Sequence, residues 1–185
     1  MELTRMPKKL IIFTDSGDTI IDEGTEIHNE DGIVVYAELI PGAGETLKAL
    51  YEAGYVIAMV ADGEEQSFTN VYEKNGLGYC FHTRTISEIV GIQKPSGRMF
   101  QDAMEKNHLT EGDKKRVVMI GNNVKKDVAG ANRFGITSIL IDWSPRYDMI
   151  PADGWETPDY TVHEPKELLS LVERLEAELI KDGNV

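Results

Sequence analysis

The strongest constraint on the fold is a set of four apolar runs, KLIIFT (9–14), YVIAMV (55–60), RVVMI (116–120) and ITSILI (136–141), each keeping its apolar character over consecutive positions instead of alternating it. That pattern belongs to strands covered on both faces. Between the runs, AGETLKALYEAG, EEQSFTNVYEKNG, GRMFQDAMEKN and NVKKDVAGANRFG space their apolar residues as helices do, and several stop on the Asn or Gly that commonly ends a helix. Strand alternating with helix predicts a parallel sheet with helices on both faces, a Rossmann-like α/β fold. A last helix, roughly Pro165 to Lys181, carries Leu168, Val172, Leu175 and Leu179 on one stripe. The stripe is expected to dock onto the sheet, with a dimer seam as the alternative.

At 185 residues the chain suits a single domain, 1–185, able to bury roughly 70% of its unfolded surface. The composition, 41% hydrophobic and 28% charged, is that of a soluble globular protein. No apolar run approaches the ~20 residues of a membrane span. A formal net charge of −13 disfavours nucleic acid, and KKDVAGANR is too short to be a basic patch. Cys80 is the sole cysteine, so no internal disulfide is expected, and MELTRMPKK is followed by no signal-peptide pattern. A cytoplasmic protein is the expectation.

In open α/β sheets, ligands bind outside the carboxyl ends of the strands. Asp15 ends the first run, so its carboxylate is expected in that crevice, a surface or capping aspartate being the alternative. The run at 116–120 leads into IGNNVKKD, which brings Asn122 and Asp127 to a neighbouring strand end, and GIQKPSGRMF offers Lys94 just before a helix. Singly, these also read as a helix cap, a helix-surface acid and a solvated lysine. Together they set an acid, oxygen ligands and a cation at strand ends, which suits a metal-assisted phosphoryl site.

These segments resemble the four motifs of the haloacid dehalogenase (HAD) superfamily of hydrolases: FTDSGDTI the first, IAMVADG the second, Lys94 in GIQKPSGRMF the third, and MIGNNVKKDVAGANRFGI the fourth. The resemblance implies that Asp15 is a nucleophile forming an aspartyl phosphate, needing no activating base because an ordinary carboxylate is ionised at neutral pH. It implies Mg²⁺ bound by the Asp15 carboxylate, the Gly17 carbonyl and the Asn122 side chain, with Asp127 reaching it through water. Lys94 would offset negative charge, and backbone N–H groups after Asp15 and after Ala61, at Asp62, would cradle the phosphate.

Three positions depart from the family pattern. Gly17 stands where a general-acid aspartate is usual, with Asp18 displaced by one; Ala61 replaces a phosphate-binding hydroxyl; and neutral Asn122 replaces a metal-binding carboxylate. Loss of general acid/base assistance typically costs about 10²–10⁴-fold in rate. Asp18 is expected not to reach a leaving oxygen and instead to accept backbone N–H bonds in the turn after the strand.

The segments that hold inserted caps in this superfamily are too short here, so a capless member is expected, with DEGTEIHNEDGIVVYAELIPG forming a β-hairpin flap (approximately 20–40) that turns near NEDG and carries His28, a solvated histidine or a substrate contact. The loop IDWSPRYDMIPADGWETPDY gathers Trp143, Arg146, Tyr147 and Trp155, suited either to anchoring an anionic substrate through Arg146, to contacting a neighbouring subunit in a homo-oligomer, or simply to pinning the loop. Cys80 and His82 alone cannot supply a zinc loop. Three readings remain: a Mg²⁺-dependent phosphatase with an atypical acid, acting on a small or larger phosphorylated substrate; a silent HAD-fold protein binding a phosphorylated ligand or partner; and a dehalogenase-like hydrolase, disfavoured by the expected lack of a cap.

Overall fold

The four apolar runs lie side by side as expected. The structure, a computed structural model, describes residues 8–181 and 183; the other residues, including most of MELTRMPKK, fall outside it. Its strands are β1 (Ile11–Thr14), β2 (Ile27–His28), β3 (Val34–Tyr36), β4 (Val56–Ala61), β5 (Thr83–Ile86), β6 (Val117–Gly121), β7 (Thr137–Ile141) and β8 (Tyr160–Val162), and its helices α1 (Ala43–Glu52), α2 (Glu65–Lys74), α3 (Ser87–Val90), α4 (Gly97–Lys106), α5 (Ala129–Phe134) and α6 (Glu167–Lys181). Six strands form a parallel sheet in the order β5-β4-β1-β6-β7-β8. The chain fills one side of β1 first and the other side afterwards, so the order reverses between β1 and β6. A crevice opens at such a reversal, beyond the strand ends.

Successive side chains of a strand point to opposite faces, and the core divides accordingly. Ile12, Ile57, Met59, Val118 and Ile120 pack on one face with Leu47 of α1, Tyr72 of α2 and Val172 of α6. Ile11, Phe13, Ala58, Val60 and Met119 pack on the other with Met99 and Phe100 of α4. All four residues of the α6 stripe are buried in the first layer, so the helix docks on the sheet. Glu176, only 5% exposed, shares that buried face, and its carboxylate accepts the N–H groups of Lys9 (3.0 Å) and Leu10 (2.8 Å) where the chain enters β1. Among the described residues, no helix is long and apolar enough to cross a membrane.

Two features differ from the sequence expectation. The segment after β6 begins as a π-helical turn, Val124–Val128, before α5 takes over, and a sixth strand, β8, continues the sheet beyond β7. β8 is held through Asp159, whose carboxylate accepts the Ser138 N–H at 2.9 Å. The flap forms as expected: β2 and β3 pair antiparallel, and the Asn29 side chain accepts the Asp31 and Ile33 N–H groups around Gly32, whose φ of +82° favours glycine.

Candidate active site

The sheet breaks open after β1 for a local reason. The Asp15 N–H still bonds to Ile120 O (2.8 Å), continuing the sheet, but the carbonyl of Ser16 then accepts the N–H groups of Thr19, Ile20 and Ile21 and curls the chain away. The Asp15 carboxylate is left at the strand end. β6 ends at Gly121, and Asn123 caps the following turn, its side chain accepting from Lys125 and Lys126. Asp127 is thereby folded back against Gly121, where a Cβ would collide with the Asp127 carboxylate. The Asn123 N–H donates to Asp127 Oδ2 at 3.0 Å.

Lys94 joins these strand ends. Its ammonium lies 2.8 Å from Asp15 Oδ1, 2.7 Å from Asp127 Oδ1 and 2.8 Å from Val60 O. The Lys94 and Asp127 side chains are each 2% exposed. Burial alone would favour a neutral lysine, but the carboxylates of Asp127, Asp15 and Asp62 outweigh it and hold Lys94 firmly protonated. Burial pushes Asp127 upward; Lys94 pulls it back and Asp15 adds to the rise, leaving the net shift upward. Asp127 Oδ1 and Asn122 Nδ2 are buried without a well-directed hydrogen-bond partner among the described residues.

Asp62 organises Lys94: its Oδ1 accepts the Lys94 N–H (3.0 Å) and its Oδ2 pairs with Lys126 Nζ (2.9 Å). Ala61 is fully buried at the end of β4. Asp15, Gly17, Glu23, Asp62, Lys94, Asn122, Asn123, Lys126, Asp127 and Tyr147 enclose a cavity of about 110 Å³. Gly17, Glu23 and Asp62 also line a larger crevice of about 350 Å³ under the flap, which His28 borders. Thus Asp15, Gly17, Asp62, Lys94, Asn122 and Asp127 meet at one place, as the sequence suggested.

Asp18 and Arg146 sit apart from that cavity. Asp18 is fully buried with a positive φ of 46°; it accepts the Glu23 N–H at 3.1 Å and pairs with Arg146 Nε at 2.7 Å. Asp22 lies 3.5 Å from the same guanidinium. Arg146 therefore clamps the turn after β1, and Trp143 packs against the core.

Two residues the motifs did not assign also enter the site. Lys126 supplies a second ammonium group, adjacent in sequence to Asp127. Glu23 comes from a short 3₁₀ turn, Glu23–Thr25, and receives a 2.8 Å hydrogen bond from the Tyr147 hydroxyl. Burial raises the Glu23 pKa; the Tyr147 bond opposes the rise, and Asp18 and Asp15 add to it. The same Tyr147 is itself pushed up by burial and by Glu23.

A carboxylate at the end of the first strand is thus tied through a buried lysine to a second carboxylate across the reversal of a parallel sheet, where α/β proteins bind their ligands. The profile of the haloacid dehalogenase-like hydrolase family matches residues 8–135, and the chain belongs to that family. It is 30% identical over 140 residues to a glyceraldehyde 3-phosphate phosphatase of Methanopyrus kandleri, covering 76% of this chain and 57% of that protein. The chain thus spans little more than half the length of such curated relatives. Among solved structures, a HAD phosphatase from Thermococcus onnurineus superposes with a TM-score of 0.70 at 17% identity, covering 88% of this chain and 97% of that one. The HAD-hydrolase YfnB from Bacillus subtilis, solved bound to magnesium, does so with a TM-score of 0.63 at 22% identity, covering 73% of this chain and 56% of that one. At these identities the structural likeness concerns the fold.

Proposed function

We propose that the protein is a Mg²⁺-dependent phosphatase that works through an aspartyl phosphate on Asp15. The observation that carries the reading is the Lys94 bridge: the ammonium fixes Asp15 Oδ1 and leaves Oδ2 without a partner among the described residues, on the wall of a polar cavity of about 110 Å³. A carboxylate so held is oriented for in-line attack on phosphorus, and Lys94 and Lys126 would receive the negative charge of the phosphoryl oxygens.

The charge balance argues for a metal ion. Asp15, Glu23, Asp62 and Asp127 outnumber Lys94 and Lys126 around the cavity, and even with Glu23 protonated three carboxylates face two ammonium groups, so a phosphate dianion would meet no net positive charge without a further cation. The donors are hard oxygens on one or two carboxylates, with Asn122 and the Gly17 carbonyl beside them, a set that suits Mg²⁺ completed by water and a substrate phosphate. The Asn122 amide nitrogen, buried without a partner among the described residues, is a donor suited to a phosphoryl oxygen, and the carbonyl oxygen of the same side chain is the atom that would face the ion. When bound, the ion would supply charge neutralisation at the phosphoryl oxygens.

The phosphatase names of relatives support a phosphorylated small molecule as substrate, and a cytoplasmic setting belongs to the same reading. The test is a screen of phosphate esters, anhydrides and acyl phosphates with and without Mg²⁺. Turnover that needs Mg²⁺ and disappears in Asp15→Asn is expected; turnover of none of these compounds would favour a phosphate-binding protein instead.

A further inference from the structure

Gly17 lies two positions after Asp15, and a glycine there leaves room in the cavity for another side chain. Glu23 takes that room. A Cβ on Gly17 would collide with Glu23 Oε1 and come within 2.8 Å of its Cδ and 2.9 Å of its Cγ. The Glu23 carboxylate thus occupies the volume that the first atoms of a side chain at 17 would fill, and any residue larger than glycine there would displace it. The fit is maintained from several sides. The Glu23 N–H is held by Asp18 Oδ1 at 3.1 Å, and Oε2 accepts the Tyr147 hydroxyl at 2.8 Å, with Arg146 Nε at 3.8 Å. Oε1 is left facing Gly17. The side chain remains 27% exposed and lines both the small cavity, with Asp15, and the larger crevice under the flap. Asp18 cannot serve in its place, because it is fully buried with one oxygen on Arg146 and the other on the Glu23 N–H.

We propose that Glu23 is the proton-transfer residue of the reaction, its carboxyl group delivered through space to the position that Gly17 leaves open. The inference rests on the phosphatase reading. In the first step Asp15 attacks phosphorus, the bond from phosphorus to the ester oxygen breaks, and the departing alkoxide takes the proton of the Glu23 carboxyl group, leaving as an alcohol. In the second step water attacks the phosphorus of the aspartyl phosphate and gives one proton to the Glu23 carboxylate. The bond to Asp15 breaks, hydrogen phosphate leaves, and both carboxyl groups return to their starting states.

The experiment compares an alkyl phosphate, whose leaving group needs a proton, with p-nitrophenyl phosphate, whose leaving group does not, in the presence of Mg²⁺. Glu23→Gln is expected to lower alkyl turnover by about 10²–10⁴-fold while retaining a first-turnover burst of p-nitrophenol, which also reports a folded protein with a working nucleophile. Gly17→Asp/Glu23→Ala is expected to regain alkyl turnover over Glu23→Ala. Should Glu23→Gln lose the burst as well, the double variant decides, and absence of recovery overturns the inference. Alkyl turnover that Asp15→Asn abolishes but Glu23→Gln leaves unchanged overturns this inference alone. Turnover of neither ester by the wild-type protein overturns the phosphatase reading and this inference with it.

Discussion

Replacing Lys94 with methionine, which keeps much of the length and apolar stem, should expose how much of the fold depends on the bridge. The Lys94 side chain is 2% exposed, and its ammonium lies 2.8 Å and 2.7 Å from the carboxylates of Asp15 and Asp127. Removing it leaves two carboxylates facing each other, one of them on an equally buried side chain. Breaking a buried pair by deleting one partner costs about 3–5 kcal/mol, which for a chain of this size lowers the melting temperature by roughly 6–20 °C. The least costly relief is protonation of Asp127, whose pKa burial and Asp15 already push upward. A carboxyl group raised in the folded state binds a proton there, while the unfolded chain does not, at any pH between the unfolded value near 3.9 and the raised one. Stability of Lys94→Met should therefore fall as pH rises through that window, more steeply than in the parent. Lys94→Met/Asp127→Asn should recover much of the loss, since Asn keeps an acceptor for the Asn123 N–H. Urea denaturation in chelator at several pH values is the assay. A single variant as stable as the parent at neutral pH, or a double variant no better than the single, would refute the reasoning.

Arg146→Ala strips the fully buried Asp18 of its cationic partner and should cost about 1–3 kcal/mol, read as a lower melting temperature and relieved in part by Asp18→Asn; an unchanged melting curve would contradict the clamp. The Thr110 backbone N–H, Arg116 and the Thr110 hydroxyl hold Asp113 down at about 2. Its contribution should be complete above the unfolded value near 3.9 and fade as pH falls toward 2, a slope that Asp113→Asn should remove in acid denaturation. Asn122→Asp adds a carboxylate at the proposed metal position and should tighten Mg²⁺ binding measured by calorimetry; no binding by either protein would remove the metal-dependent reading.

The sheet was legible because strands buried on both faces leave uninterrupted apolar runs, as Ile11 to Phe13 and Ile57 to Ala61 do. Asp15, Lys94, Asn122 and Asp127 were legible because each stands at or near the end of such a run or the start of a helix, and the topology converges those ends. β8 was not, since YTV is short, half exposed, and held by the polar Asp159–Ser138 contact. The roles of Glu23 and Arg146 were hidden for a different reason. Glu23 meets Tyr147 across 124 positions and Asp18 meets Arg146 across 128, contacts made by a turn and a loop that carry no periodicity. The one available signal was the glycine at 17, which marked a vacancy without saying which residue fills it. Asp18 accepts a backbone N–H as the turn chemistry suggested, but its pairing with Arg146 is a tertiary contact that local sequence cannot specify.

Attack of Asp15 on phosphorus is the central claim, and the stereochemical course at phosphorus tests it most directly. A phosphorothioate ester made chiral with two oxygen isotopes and turned over in water enriched in the third should release thiophosphate with its configuration retained, because attack by Asp15 followed by attack of water makes two in-line displacements, each inverting the centre. Inversion would mean that water attacks the substrate in a single displacement and would contradict an aspartyl phosphate.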